Sequence, residues 1–281
     1  MNDPYPIYSI GETESIVKYT LFGVAALAAL LYCLRLSRTL GQKWPLYGFA
    51  GSALLVSYEP FNNLLAQCAY PTSGDTLDPM LTWFDQTVPW STWLIYMFYF
   101  SFAVPQLVQR LDRGMTTRQF MAFYGITAAI CAAFEPLFCH PDIGINWWYY
   151  YGEGQALDFT GMPLFWVFAN SMVVVAMGTI FHLLKKHVFR TDRETIAFIP
   201  LSPLILFGVH GSASIPVFVA VSEGANEFWS TVATLSTIAV SFFYLWILSR
   251  AACVSGPGSA PEAEECELDQ PEAPALAGIS R

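Results

Sequence analysis

The chain has 281 residues, 54% hydrophobic and only 12% charged, with a formal net charge of −9 at pH 7. Soluble domains carry about twice that charged fraction, so the composition excludes an ordinary soluble globular protein. The acidic balance offers no basic surface on which nucleic acid would bind.

The first 15 residues read as a short extracellular segment. Seven apolar stretches follow, each near the ~20 residues that cross a bilayer as helix. They are Ile16–Leu36, Trp44–Cys68, Val88–Val108, Gln119–Cys139, Met162–Leu184, Ile196–Val221 and Phe228–Leu248. They predict an all-α, polytopic membrane bundle of seven transmembrane helices over residues 16–250. The first stretch has no clear cleavage site and leads into Arg35 and Arg38, so it reads as an anchor rather than a cleavable signal. Basic residues follow the first stretch (Arg35, Arg38, Lys43), the third (Arg110, Arg113, Arg118) and the fifth (Lys185, Lys186, Arg190, Arg193). Lys18 alone falls on the other side, where Asp75, Asp78, Asp85, Asp142, Glu153 and Asp158 gather. Basic loops stay cytoplasmic, which puts the N-terminus outside and the C-terminus inside a multi-pass protein of the cell membrane. Residues 251–281 are acidic and Pro-rich, the composition of a disordered cytoplasmic tail.

Two Glu-Pro dipeptides stand inside apolar stretches, Glu59-Pro60 in the second and Glu135-Pro136 in the fourth. A carboxyl in hydrocarbon costs a few kcal/mol, so such residues face a cavity or a partner. Each proline is expected to kink its helix. Pro89 and Pro163 open the following stretches, a pattern that reads either as a weak parallel repeat or as chance similarity between apolar stretches.

Helical rise sets the depth of every polar group. Glu59 and Glu135 fall in the outward half, Asn170 about two turns down the fifth stretch, and His210 near the middle of the sixth. Asn62 and Asn63 follow Glu59 by three and four positions and share its face. These groups predict one cavity reached from the outer side. The run Trp147-Trp148-Tyr149-Tyr150-Tyr151 before Glu153 predicts a lid over it, beyond a simple interfacial belt. Taken singly, each has a plainer account: the glutamates as partners across an interface, Asn170 as interhelical glue, His210 as a packed core residue. The Ser/Thr run from Ser230 to Ser241 reads as a close-packing face. None of the six cysteines forms a C-x-x-C pair; Cys68 and Cys139 read as small apolar fillers, although an oxidising compartment could join them.

Two neighbouring carboxyls in a dry site give up their protons one at a time, which leaves an acid beside a base at neutral pH. With aromatic rings to stabilise a cation and water excluded, that suits oxocarbenium or carbocation chemistry. Histidine boxes, aspartate-rich diphosphate motifs, H-E-x-x-H, G-x-S-x-G, a Walker loop and a dinucleotide fingerprint are absent, so no metal or cofactor is expected. The seventh stretch has no lysine for a retinal Schiff base.

Tyr58-Glu59-Pro60-x-x-Asn63, then Phe134-Glu135, Trp148-x-Tyr150-x-Gly152 and Pro163, resembles the AveC-like spirocyclase family of actinobacteria over most of residues 45 to 185. That family often has an aspartate where this chain has Glu59. The resemblance implies a membrane protein that closes a dihydroxy-ketone polyketide into a spiroketal, in some members with dehydration. It implies Glu135 as general acid and Glu59 as base or cation stabiliser, with the order exchangeable. Asn63, Asn170 and His210 would hold substrate oxygens, Trp148 and Tyr150 would line the mouth, and Tyr58, Asn62 and Glu153 would complete the binding set. The expected partners are a lipophilic small molecule and membrane lipids. Two alternatives stay open: a membrane terpene cyclase, and a non-catalytic seven-helix lipid-binding or transport protein.

Overall fold

The structure is a computed structural model that describes residues 9–73, 79–139, 147–152, 154–159 and 161–254. The tail beyond Val254, and Glu153, lie outside the described residues. Helices dominate, and six are long and apolar enough to cross a membrane. Their outward faces are apolar too, for instance Val24, Leu27 and Leu31 on the first and Phe243 and Trp246 on the last. A helix that is hydrophobic on every side belongs in lipid or in a large core. The protein is a multi-pass, all-α membrane protein.

The first helix, α1 (Glu12–Leu40), has 29 residues and ends where Gly41 turns left-handed at φ 64°. The second apolar stretch is broken. Helix α2 (Trp44–Leu54) gives way to a 3-10 turn over Leu55–Tyr58, and α3 (Glu59–Ala66) resumes. The reason is Pro60: without an N–H it cannot bond to the Val56 carbonyl, which accepts from the Glu59 N–H instead. Glu59 therefore opens a helix in the middle of the stretch. At the other Glu-Pro pair, helix α5 (Thr117–Cys139) continues through Pro136, which stands in its last turn.

Helix α4 (Trp90–Asp112) starts after Pro89, later than the apolar stretch suggested, because Val88 and Pro89 belong to a β-hairpin. Helix α6 (Phe165–His187) is the most buried element and forms the hub. The sixth apolar stretch carries Pro200, Pro203 and Pro216, and it folds as α7 (Phe198–Ile205), a π-helical turn over Leu206–Gly211 and α8 (Ser212–Ser222). Helix α9 (Glu227–Ala252) closes the bundle. Its buried Ser230, Thr234, Thr237 and Ser241 face α6 and α8, a small-residue stripe that permits close approach. Elsewhere Gly51 does the same for α2 and α7, since a Cβ there would fall 2.7 Å from the Phe198 carbonyl oxygen.

The two ends of the bundle differ. At one, Asp112 on α4 binds His182 Nδ1 at 2.7 Å and Lys185 Nζ at 2.9 Å on α6. The Lys43 N–H donates to Asp192, and Val254 bonds back to Met115. The basic loops thus gather at this end. Burial pushes the Asp112 carboxyl up, but the hydrogen bonds from His182 and Lys185 outweigh it and hold the group below its usual range.

At the other end short strands knit the loops into a cap. Ser9–Ile10 (β1) pairs with Thr72–Ser73 (β3), and Cys68–Ala69 (β2) pairs with Tyr149–Tyr150 (β6). Pro79–Trp83 (β4) pairs with Gln86–Pro89 (β5), and Asp158–Phe159 (β7) with Met162–Pro163 (β8). Gly152, at φ 80°, lets the chain pass against the Gln67 side chain beneath this cap.

Candidate functional site

A chamber of about 340 Å³ lies just below the cap, between α1, α4, α5 and α6. That is within the size range of small-molecule sites. Both intramembrane glutamates line it, each held in its own way.

Glu59, placed by the Pro60 break, is 5% exposed. Its Oε1 accepts from the Tyr70 hydroxyl and its Oε2 from the Tyr96 hydroxyl, so both oxygens are engaged by phenols. Tyr70 follows strand β2 and Tyr96 stands on α4, so loop and helix converge on one carboxyl. Behind this pair, Lys18 is buried on α1. Its Nζ donates to the Trp147 carbonyl at 3.1 Å and sits 5.8 Å from the centre of the Tyr70 ring. Among the described residues no lysine or arginine lines the chamber itself.

Glu135 uses one oxygen only. Its Oε1 accepts from Asn170 Nδ2 at 2.8 Å and from Cys131 Sγ, one turn earlier on the same helix, at 3.1 Å. Its Oε2 has no partner among the described residues and is free to meet a ligand.

His210 occupies the π-helical turn and is 1% exposed. π-Turns inside α-helices recur at functional sites because they push one side chain out of the regular ladder. The His210 Nδ1 shares a 3.0 Å hydrogen bond with the Tyr58 hydroxyl, and its ring stacks on Trp166 with centroids 5.5 Å apart. The His210 Nε2, Asn62 Oδ1, Thr92 Oγ1 and Trp166 Nε1 atoms are buried without a partner among the described residues, all on chamber-lining side chains. Buried polar atoms are normally satisfied, so these are the atoms a polar ligand would occupy.

Of the residues singled out from the sequence, Tyr58, Glu59, Asn62, Glu135, Trp148, Tyr150, Asn170 and His210 all line the chamber. Asn63 does not. It is fully buried one position beyond Asn62, about 100° further around a short helix, and turns into packed protein. Glu153 lies outside the described residues. Trp147 packs on Phe22 and Phe138 instead of lining the site. Cys68 and Cys139 are buried free thiols.

Sequence reasoning missed Tyr70, Tyr96, Thr92, Tyr99 and Cys131. Cys131 was legible, standing four residues before Glu135 on a helix. Tyr70 and Tyr96 carried no local signal, since each is one tyrosine among fourteen. Among the described residues no group of three or more His, Cys, Asp or Glu could hold a metal ion. Comparison with protein-family models, with curated proteins and with solved structures finds no match, so the reading of this site rests on its own geometry.

Proposed function

We propose that the protein is a membrane-embedded, cofactor-independent cyclase that converts a lipophilic hydroxy ketone of polyketide type into a spiroketal. The observation that carries the reading is a pair of carboxyls on one chamber, one with both oxygens held by donors and the other with one oxygen unpartnered among the described residues.

Glu59, which accepts from two phenols, is the carboxyl that receives a proton in this reading. Glu135, with Oε2 facing the chamber, is arranged to give one. One substrate hydroxyl adds to the ketone and forms a hemiketal. Glu135 then protonates the hemiketal hydroxyl, which leaves as water and creates an oxocarbenium ion. The oxygen of the second hydroxyl bonds to that carbon, and its proton passes to Glu59. Return of the proton from Glu59 to Glu135 closes the cycle, with one water lost overall. Asn170, Asn62 and His210 orient the oxygens, and Tyr99, Trp148 and Trp166 provide ring faces for the cation.

Counting the broken second helix gives seven spans. The positive-inside rule then puts the Asp112 end in the cytoplasm of a cell-membrane protein and the strand cap outside. On this placement the chamber sits in the outer half of the bilayer.

A second reading has its own support. The lining is rich in Phe, Tyr and Trp and includes only two amide side chains, Asn62 and Asn170. That is more aromatic than the sequence suggested, and it favours a terpene-type cyclase that protonates an epoxide or alkene. Purified protein in vesicles, supplied with a dihydroxy ketone or an epoxy-polyprenyl chain, separates the two. A product one water lighter from the first substrate supports spirocyclisation. A cyclised isomer from the second supports the rival, and unchanged recovery of both removes the enzymatic reading.

A further inference from the structure

Around the chamber, α1 packs on α4, α4 on α6, and α6 on α5. The fourth side, from α5 back to α1, is not closed in the same way. Near the cap the two helices meet through Phe22 and Phe138, with ring centroids 5.9 Å apart, and Trp147 stacks on Phe138 at 4.8 Å. The Lys18 bond to the Trp147 carbonyl ties α1 to this cluster. Beside and below this contact the seam side chains are turned outward. Leu21 on α1 is 48% exposed, and Ile130 and Phe134 on α5 are 47% and 56% exposed, yet all three line the chamber.

A residue that is both a chamber wall and an outer surface marks an opening. Phe134 and Ile130 lie about 8 Å and about 14 Å below the Cys139 end of α5 at 1.5 Å per residue, and Leu21 stands beside Phe22 at the upper edge of the seam. Half of a bilayer's hydrocarbon core is about 15 Å thick, so this opening faces acyl chains and not water. Its rim is wholly apolar, whereas the unpartnered polar atoms of Asn62, Thr92, Trp166 and His210 belong to the chamber within.

We infer that the seam between α1 and α5 is a lateral portal through which an amphipathic substrate enters from the lipid. Its oxygenated part reaches the chamber, and its hydrocarbon tail stays in the seam between Leu21, Ile130 and Phe134. The inference rests on the chamber being a substrate site and adds the substrate's class and route. A ligand of this kind needs a flexible alkyl chain and never crosses the strand cap.

The test uses the full-length protein in phosphatidylcholine vesicles and a long-chain hydroxy ketone with a diazirine at the oxygenated end. After photolysis, adducts are mapped by peptide mass spectrometry. Wild type is expected to carry chamber adducts on α4 and α6, competed by unlabelled hydroxy ketone, as well as surface adducts on α9. The double substitution Leu21→Trp and Ile130→Trp should lower the rate of chamber labelling about tenfold, equivalent to about 1.4 kcal/mol of added barrier. Leu27→Trp, on the exposed face of α1 but off the chamber, should leave it unchanged. Chamber labelling of the double variant at the wild-type rate would overturn the portal, as would a wild type labelled on α9 alone. If the double variant also loses its α9 adducts it is misfolded, and the two single substitutions are judged by the same criterion. Labelling requires no turnover. Chamber adducts without any product would remove the cyclase reading and leave the portal standing, while turnover without a portal effect would do the reverse.

Discussion

Replacing either glutamate by glutamine should have unequal consequences, because the two carboxyls are held differently. In Glu135→Gln the amide oxygen can still accept from Asn170 and Cys131, and the new amine can occupy the free Oε2 position. The fold loses little, under about 1 kcal/mol, since one uncharged acceptor replaces another of the same shape. Turnover should fall by about 10²–10⁴, the contribution of a positioned acid, because an amide has no proton to give. In Glu59→Gln the amine must face either Tyr70 or Tyr96, both of which donate to the carboxylate. That phenol can rotate to accept from the amine, but its hydrogen bond to a carboxylate, worth about 1.5–3 kcal/mol, is lost. For a chain of this size that lowers Tm by several degrees, at roughly 2–4 °C per kcal/mol. Thermal unfolding in detergent, followed by tryptophan fluorescence, and product formation from the dihydroxy ketone measure the two quantities separately. Glu135→Gln with turnover within about fivefold of wild type would refute the acid assignment, because it falls below the range of acid catalysis. Equal destabilisation by both substitutions would refute the description of how the carboxyls are held.

Other outcomes follow from the packing and the charges. Gly51→Ala puts a Cβ 2.7 Å from the Phe198 carbonyl oxygen and 2.3 Å from Ser202 Oγ, so it should cost about 1–3 kcal/mol; adding Ser202→Ala should rescue it only in part, because the backbone contact remains. Asp112 has its folded pKa held down, so its contribution is present above the unfolded value near 3.9 and is lost as pH falls below about 4. Asp112→Asn should therefore flatten the acid limb of Tm against pH while costing under about 1 kcal/mol at neutral pH, since the carboxyl is 40% exposed. An unchanged acid limb would count against that ion pair. Reporter fusions after Arg250 should be active on the cytoplasmic side, and tags in the loop after Tyr70 should react with impermeant reagents from outside.

How much could be read along the chain depended on whether the information was local. Apolar run length decides where a helix can lie in lipid, so the six helices long enough to cross were visible to within a few residues. The misplaced starts, at Val88 and Met162, came from strands that pair with the segment just before them in short hairpins, a local turn signal that apolar run length overlooks. Depth follows from helical rise, which is why Glu59, Glu135, Asn170 and His210 could be expected on one level. Direction around a helix was less secure. The 3-10 turn before Pro60 rotates α3, so Asn62 reaches the chamber while Asn63 does not.

Composition and hydropathy alone thus determined that this chain resides in a membrane and that two acids lie within its apolar passes. Tertiary structure decided what those acids can do. Tyr96 reaches Glu59 from 37 positions away and Asn170 reaches Glu135 from 35, and neither pairing has any signature in the order of residues. A hydrogen bond depends on atoms brought within about 3 Å, and only the packing of α4 and α6 against their neighbours brings them there.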